Sequence, residues 1–188
     1  MELRGPRVTL RTPCLDDADR FFQWFADPEV TRFLPLAGQD HLPMEAIRSF
    51  LERVSVSDRP ELAVSIDVDG QHVGCGGLRG IDVESAELSI VIGERRFRGC
   101  GIASEAMTLL LSHAFGVIGL KTVWLVVRAD NARAVHFFEH FGFVRAEIRS
   151  AAVVVDGEPK DKWKMVLTAS SWPCDCPTSG VPVESLNR

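Results

Sequence analysis

The stretch from residue 84 to residue 119 constrains this chain most. It opens with Glu84-Ser85-Ala86-Glu87-Leu88-Ser89-Ile90-Val91-Ile92, whose β-branched and aliphatic residues predict a strand. Gly93-Glu94-Arg95-Arg96-Phe97-Arg98-Gly99-Cys100-Gly101-Ile102-Ala103-Ser104 follows, a turn rich in glycine and arginine, and then apolar residues recur at helical spacing as far as Gly119. A helix leaves its first N–H groups unpaired and partially positive, and Gly99 and Gly101 let the backbone approach a ligand with no Cβ in the way. Strand, glycine loop and helix thus read as a cradle for phosphate, with Arg96 and Arg98 adding charge at its rim. The plainer alternative is a tight connection carrying solvated arginines.

Two familiar phosphate loops fit poorly. The Walker pattern needs a Gly-Lys-Ser/Thr ending, and the chain has no such triplet. A dinucleotide fingerprint should follow an early strand and precede an acidic residue by about twenty positions. Here a long stretch precedes the loop, and Asp130 comes late.

Arg96-x-x-Gly99-x-Gly101-x-Ala103 resembles the acyl-coenzyme A pyrophosphate loop of the GNAT acyltransferase superfamily, and the likeness extends to three further segments. Asp27-Pro28-Glu29-Val30-Thr31-Arg32-Phe33-Leu34 is similar to the segment after the first helix in Rim-type ribosomal-protein N-terminal acetyltransferases. Asp130-Asn131-Ala132-Arg133-Ala134, running to Phe141-Gly142-Phe143, resembles the superfamily's Asn-x-x-Ala/Ser helix, and Asp156-Gly157 through Trp172 its final hairpin. The resemblance implies a single α+β domain over residues 1 to 172. Its mixed six- to seven-stranded sheet would carry about four helices and splay between the strands at 86 to 92 and 122 to 127.

The residues themselves support that layout. Val8-Thr9-Leu10-Arg11 alternates as a half-buried strand, and Leu15, Ala18, Phe21, Phe22 and Phe25 fall at helical spacing up to Asp27-Pro28. Phe33 to Gly38 reads as a loop, and Met44, Ile47, Phe50, Leu51 and Val54 share one face of a second helix. Residues 62 to 68 and 71 to 78 predict a hairpin turning at Asp69-Gly70, with Gly74, Gly76 and Gly77 suggesting a bulge or a close backbone approach. A helix over 102 to 118, a strand over 122 to 127, a helix over 131 to 141 and a terminal hairpin complete the pattern. Residues 173 to 188 are turn-rich and aperiodic, and predict a loose tail.

At 188 residues, 46% hydrophobic and 25% charged, the chain suits one globular domain. Its net charge of −5 argues against nonspecific binding to nucleic acid or membrane surfaces. The five cysteines are scattered with no Cys-x-x-Cys pair, the N-terminus lacks an apolar signal core, and no run of 18 apolar residues occurs. These features predict a cytoplasmic protein without a metal; a monomer or a homodimer is expected, and the sequence does not choose between them.

For chemistry, the resemblance implies acetyl transfer from acetyl-coenzyme A to a primary amine, on a protein N-terminus or a small molecule, by direct attack in a ternary complex. Glu87 is the candidate base, placed by alternation on one face with Ser89 and Val91; a cross-strand ion pair is its plainer reading, and Glu84 is a weaker competitor. By resemblance, backbone near Ile90 or Val91 polarises the thioester beside a strand bulge. The loop residues Arg96, Arg98, Gly99, Cys100, Gly101, Ile102 and Ala103 would hold the pyrophosphate, and Asn131 the pantetheine arm, although Asn131 also suits a helix cap. Trp24 and Phe33 are candidates to touch the acceptor. Many members of the superfamily that this chain resembles place a Tyr as acid where it has Phe138, and the sequence contains no Tyr. Phe138 would then pack on the pantetheine arm, and His136 reads as a surface residue. The missing acid keeps a second reading open, a catalytically silent acyl-coenzyme A-binding module that senses or regulates.

Overall fold

The computed structural model describes residues 1–34, 42–56, 61–155 and 157–172. Strands β1 (Glu2–Arg4), β2 (Val8–Arg11), β3 (Glu61–Val68), β4 (Gln71–Arg79), β5 (Ser85–Ile92), β6 (Thr122–Arg128), β7 (Val144–Val155) and β8 (Glu158–Thr168) build one mixed sheet in the order β1-β2-β3-β4-β5-β6-β8-β7. Only the central β5–β6 pair is parallel among the described residues. The strand beyond the six or seven expected is β1, whose three residues are too few to show a period. Among the described residues the helices are α1 (Ala18–Ala26), α2 (Pro28–Thr31), α3 (Met44–Ser55), α4 (Ile102–His113) and α5 (Ala132–His140). The additional helix is the single turn α2, started by Pro28 and capped by the Asp27 carboxylate, which accepts the Glu29 N–H at 2.8 Å. No helix among the described residues is long and apolar enough to cross a membrane.

The Asp69-Gly70 hairpin forms with both residues at positive φ, 50° and 75°, the conformation that matches the twist of its flanking strands. The helix expected over 102 to 118 is α-helical to His113 and then widens into a π turn, closed by Gly119 at φ 80°. The turn residue Asp156, the loop at 35 to 38 and the tail from 173 lie outside the described residues.

Two layers flank the sheet. Ile102, Ala106, Met107, Leu110 and Leu111 of α4 are buried against Ala86 and Leu88 of β5, Val123 and Leu125 of β6 and Met165 and Leu167 of β8. Alternation along β5 then sends Glu87, Ser89 and Val91 to the opposite face, beneath α1 and α3. The core on that side is thin, with Ala18, Phe21, Ile47 and Leu51 as its buried members. At roughly 1.5–3 kcal/mol per buried large apolar side chain, so small a cluster holds α1 weakly by itself.

A polar clamp supplements it. The Arg11 guanidinium of β2 forks onto both oxygens of Asp17 at 2.8 and 2.6 Å, immediately before α1, and also donates to Asp67 of β3 at 2.7 Å. The Ser65 hydroxyl and the Cys14 N–H donate to the same Asp17 oxygen at 2.8 and 3.0 Å. Burial alone would push the Asp17 carboxyl up; its donors, Arg11 foremost, outweigh that and hold it down at about 2. A folded-state value below the ordinary 3.8 means that Asp17 stabilises the protein above the unfolded value and ceases to do so as pH falls through the folded one. We therefore expect urea unfolding to show a loss of roughly 2 kcal/mol from this group between pH 5 and pH 2. Asp17→Asn should be less stable at pH 7 and should lack that part of the acid decline. An acid decline of equal steepness in the variant would assign it to other carboxylates.

Candidate active site

β5 and β6 pair only through Ser85↔Thr122, Ala86↔Val123 and Glu87↔Trp124, and then part. On its other side β5 remains paired with β4 from Arg79↔Glu87 to Gly74↔Ile92. From Leu88 onward one edge of β5 therefore offers backbone N–H and C=O groups to no strand, a costly arrangement unless something else takes them. Arg98 takes two: its Nε donates to the Ile92 carbonyl at 3.1 Å and its Nη2 to the Gly93 carbonyl at 2.7 Å. Beside the end of this edge lies a cleft of about 430 Å³, floored by Val91 and Ile92 and walled by Val30, Phe33 and the segment Asp130 to Arg133.

The glycine loop borders this cleft. Gly99 and Gly101 sit at φ 79° and 82°, and Gly101 is the N-cap of α4, whose first turn receives no side-chain cap. A Cβ on Gly101 would be strained at that φ and would lie 3.0 Å from Arg7 Nη2. Arg7 comes from the turn before β2: its Nη1 donates to the Cys100 carbonyl at 3.0 Å and its Nε to Glu105 Oε2 at 3.1 Å. Arg133 reaches the loop from α5, its Nη2 standing 3.7 Å from where a Gly99 Cβ would be. Three guanidiniums, those of Arg7, Arg98 and Arg133, thus gather around the loop and cleft. Of these the sequence singled out Arg98 alone. Arg96 turns away instead, donating to Gln71 Oε1 and lying over the Phe97 ring, and it does not line the cleft. Cys100 is exposed, with its thiol toward the Arg96 carbonyl at 3.5 Å. Ile102 and Ala103 supply the first turn of α4, and Ile102 is buried.

A second cavity, about 500 Å³, lies on the Ser89 and Val91 face of β5, between the sheet and helices α1 and α3. Its walls are Phe21, Phe25, Ile47 and Phe50, and its floor is Cys75, Gly76 and Gly77 of β4. Both glycines are imposed by close backbone approach: a Cβ would meet the Ser89 carbonyl at 2.6 Å from Gly76 and the Leu62 carbonyl at 2.0 Å from Gly77. Val91 lines both the cleft and the cavity, so the two spaces border the same residue of β5. Burial pushes the Cys75 thiol up to about 12; the residue keeps some accessible surface, but its sulfur lies deep and stays protonated.

Glu87 forms the cross-strand pair weighed for it, its Oε1 3.3 Å from Arg79 Nη2. The registers Glu61↔Arg79 and Arg79↔Glu87 align a carboxylate, a guanidinium and a carboxylate across β3, β4 and β5, with Glu61 and Arg79 on the cavity wall. Glu84 instead pairs with Lys121 on the surface. The bulge expected beside Ile90 and Val91 is displaced: the β4–β5 register is regular, and the irregularity falls between Ile66 and Asp67 opposite Val73, where β4 carries the extra residue.

Asn131 does cap α5, its Oδ1 accepting the Ala134 N–H at 3.3 Å, and it also lines the cleft. Phe33 lines the cleft, with Arg128 4.8 Å from its ring centre. Trp24 is 4% exposed and lines neither space; its Nε1 donates to Glu94 Oε1 at 3.2 Å, and its ring covers Gly93. Phe138 is half-buried against the core, edge-on to Phe143 at 5.8 Å, and is not among the cleft residues, while His136 is exposed.

A family model described as an acetyltransferase (GNAT) domain matches residues 7–144, and the chain belongs to that family. The spermidine N(1)-acetyltransferase of Vibrio cholerae is 28% identical over 150 residues, spanning 79% of this chain and 80% of that protein. An uncharacterized N-acetyltransferase, p20 of Bacillus licheniformis, is 24% identical over 143 residues, spanning 73% and 79%. The solved spermidine N-acetyltransferase from Vibrio cholerae in complex with CoA and spermine superposes with a TM-score of 0.79 at 20% identity, covering 88% of this chain and 98% of that one.

The tie made by Arg98 has a measurable consequence. Arg98→Ala leaves the Ile92 and Gly93 carbonyls without their charged donor, and should lower stability by about 1.5–3 kcal/mol in urea unfolding at unchanged slope. Unchanged stability would mean that water replaces the guanidinium at no cost and that Arg98 does not hold the end of β5.

Proposed function

We propose that the protein transfers an acetyl group from acetyl-coenzyme A to a primary amine by direct attack, both substrates being bound at once. The observation that carries this reading is that the cleft and the cavity share Val91 as a lining residue. A thioester lying along the unpaired edge of β5 would place its carbonyl beside the backbone of Ile90 and Val91. An amine in the cavity would reach it from the Ser89 side. The loop supplies what a pyrophosphate needs, namely glycine backbone, the first turn of α4, and guanidiniums from Arg7, Arg98 and Arg133. Asn131 and Phe33 would bound the pantetheine arm.

The chemistry asks little more of the side chains. An alkylamine with a pKa of about 10 is mostly protonated at pH 7 and must lose a proton before attack. Glu87 accepts it, directly or through water, from its place two residues before Ser89 on the cavity face. A thiol with a pKa of about 8.5 leaves readily as the thiolate, so no phenolic acid is needed in a chain that has none. The missing Tyr also supports the second reading, a silent acyl-coenzyme A-binding module, which turnover separates from the first. Likeness to the Rim type puts protein N-termini among the acceptors, and the names of the relatives add polyamines.

Thiol release from acetyl-coenzyme A over a panel of amines is the primary test. Glu87→Gln should lower kcat about 100-fold with little change in acetyl-coenzyme A affinity. Gly101→Val should weaken acetyl-coenzyme A binding at least tenfold by calorimetry while the protein remains folded, since its side chain enters the cradle beside Arg7. Binding without turnover on any amine would establish the silent module; unchanged binding in the folded Gly101→Val protein would remove the loop from the site.

A further inference from the structure

The 500 Å³ cavity differs in kind from what a polyamine requires. A polyamine carries several positive charges along a thin chain, and its recognition needs carboxylates spaced along the wall. Here the wall away from β5 is Phe21, Phe25, Ile47 and Phe50, with Leu62 and Val64 beside them. Polar side chains on the described lining are few: Arg53, Glu61, Arg79 and Ser89, besides the protonated Cys75 thiol. Arg79 stands between Glu61 and Glu87 in the strand register, which leaves one net negative charge in that row. That suits a single ammonium, while Arg53 on α3 would repel a second one.

Resting on the transferase reading above, the geometry assigns the acceptor to small primary amines with a single ammonium and an aromatic or branched aliphatic body. The ammonium reaches Ser89 and Val91 past the Glu61–Arg79–Glu87 row, and the apolar body fills the space among Phe21, Phe25 and Phe50. The size agrees, since pockets for small ligands commonly measure about 300–1,000 Å³ with mostly apolar walls and few polar groups. In the transfer step the ammonium first gives one proton to Glu87, and the neutral nitrogen forms a bond to the acetyl carbonyl carbon. The carbon–sulfur bond breaks, and the second proton shed by the nitrogen goes to the departing thiolate, giving the coenzyme A thiol.

The probes are 2-phenylethylamine and tryptamine against spermidine, each with acetyl-coenzyme A and the full chain. We expect kcat/KM for the two arylalkylamines to exceed that for spermidine at least tenfold. Ala46 lines the cavity from the exposed surface of α3, where a larger side chain can be carried without disturbing the core. Ala46→Trp should raise KM for 2-phenylethylamine at least tenfold and leave KM for acetyl-coenzyme A unchanged. Release with spermidine but not with the arylalkylamines, or an arylalkylamine KM that Ala46→Trp does not move, overturns this assignment and leaves the transferase reading standing. No release with any amine overturns both.

Discussion

Everything at the candidate site follows from the short pairing between β5 and β6. Parallel strands normally continue together because each exposed stretch of backbone in a buried sheet has N–H and C=O groups to satisfy. Here the pairing stops after Glu87↔Trp124, while β5 runs on to Ile92 with β4 alone beside it. The fold tolerates this because Arg98 closes the far end of the strand and because a cleft adjoins the edge at Val91 and Ile92, where solvent or a ligand can enter. The groups left without a strand are those that a bound pantetheine amide chain would take up in the proposed function.

The second space depends on the first through the pleat of β5. The strand offers Leu88 to the main core and Ser89 and Val91 to the other face, so a position on the cleft is also a position on the cavity. For the cavity to exist, the layer above it must stand off the sheet. The small cluster around Phe21 and Ile47 and the glycine floor of β4 allow this, and the Arg11–Asp17 clamp anchors α1 without filling the gap.

Much of this was legible from local pattern. The strand and loop over 84 to 101, the Asp69-Gly70 hairpin and the Asn131 cap each depend on a few neighbouring residues and form as the sequence predicts, while the helix after the loop keeps its α form only to His113. Of the two readings that the sequence leaves for glycines 76 and 77, a bulge or a close approach, the structure has the close approach, and what they approach, the Ser89 and Leu62 carbonyls, depends on register. What escaped was set by long-range contacts. Arg7 lies far from the loop in sequence and reaches it only because β2 runs beneath α4; an arginine in a turn carries no signal of that. Arg96 and Arg98 are indistinguishable in sequence, yet one faces Gln71 and the other the end of β5. Trp24 looked free to meet a substrate until Glu94 and the bare Gly93 appeared beside it.

The most direct test of the account is hydrogen exchange with and without saturating acetyl-coenzyme A. If the unpaired edge of β5 receives the acyl donor, slowed exchange should concentrate in residues 88 to 92 and in the first turn of α4, with little change in β7 and β8. Protection that leaves 88 to 92 unchanged and appears elsewhere would contradict the claim that the parting of β5 from β6 makes the site.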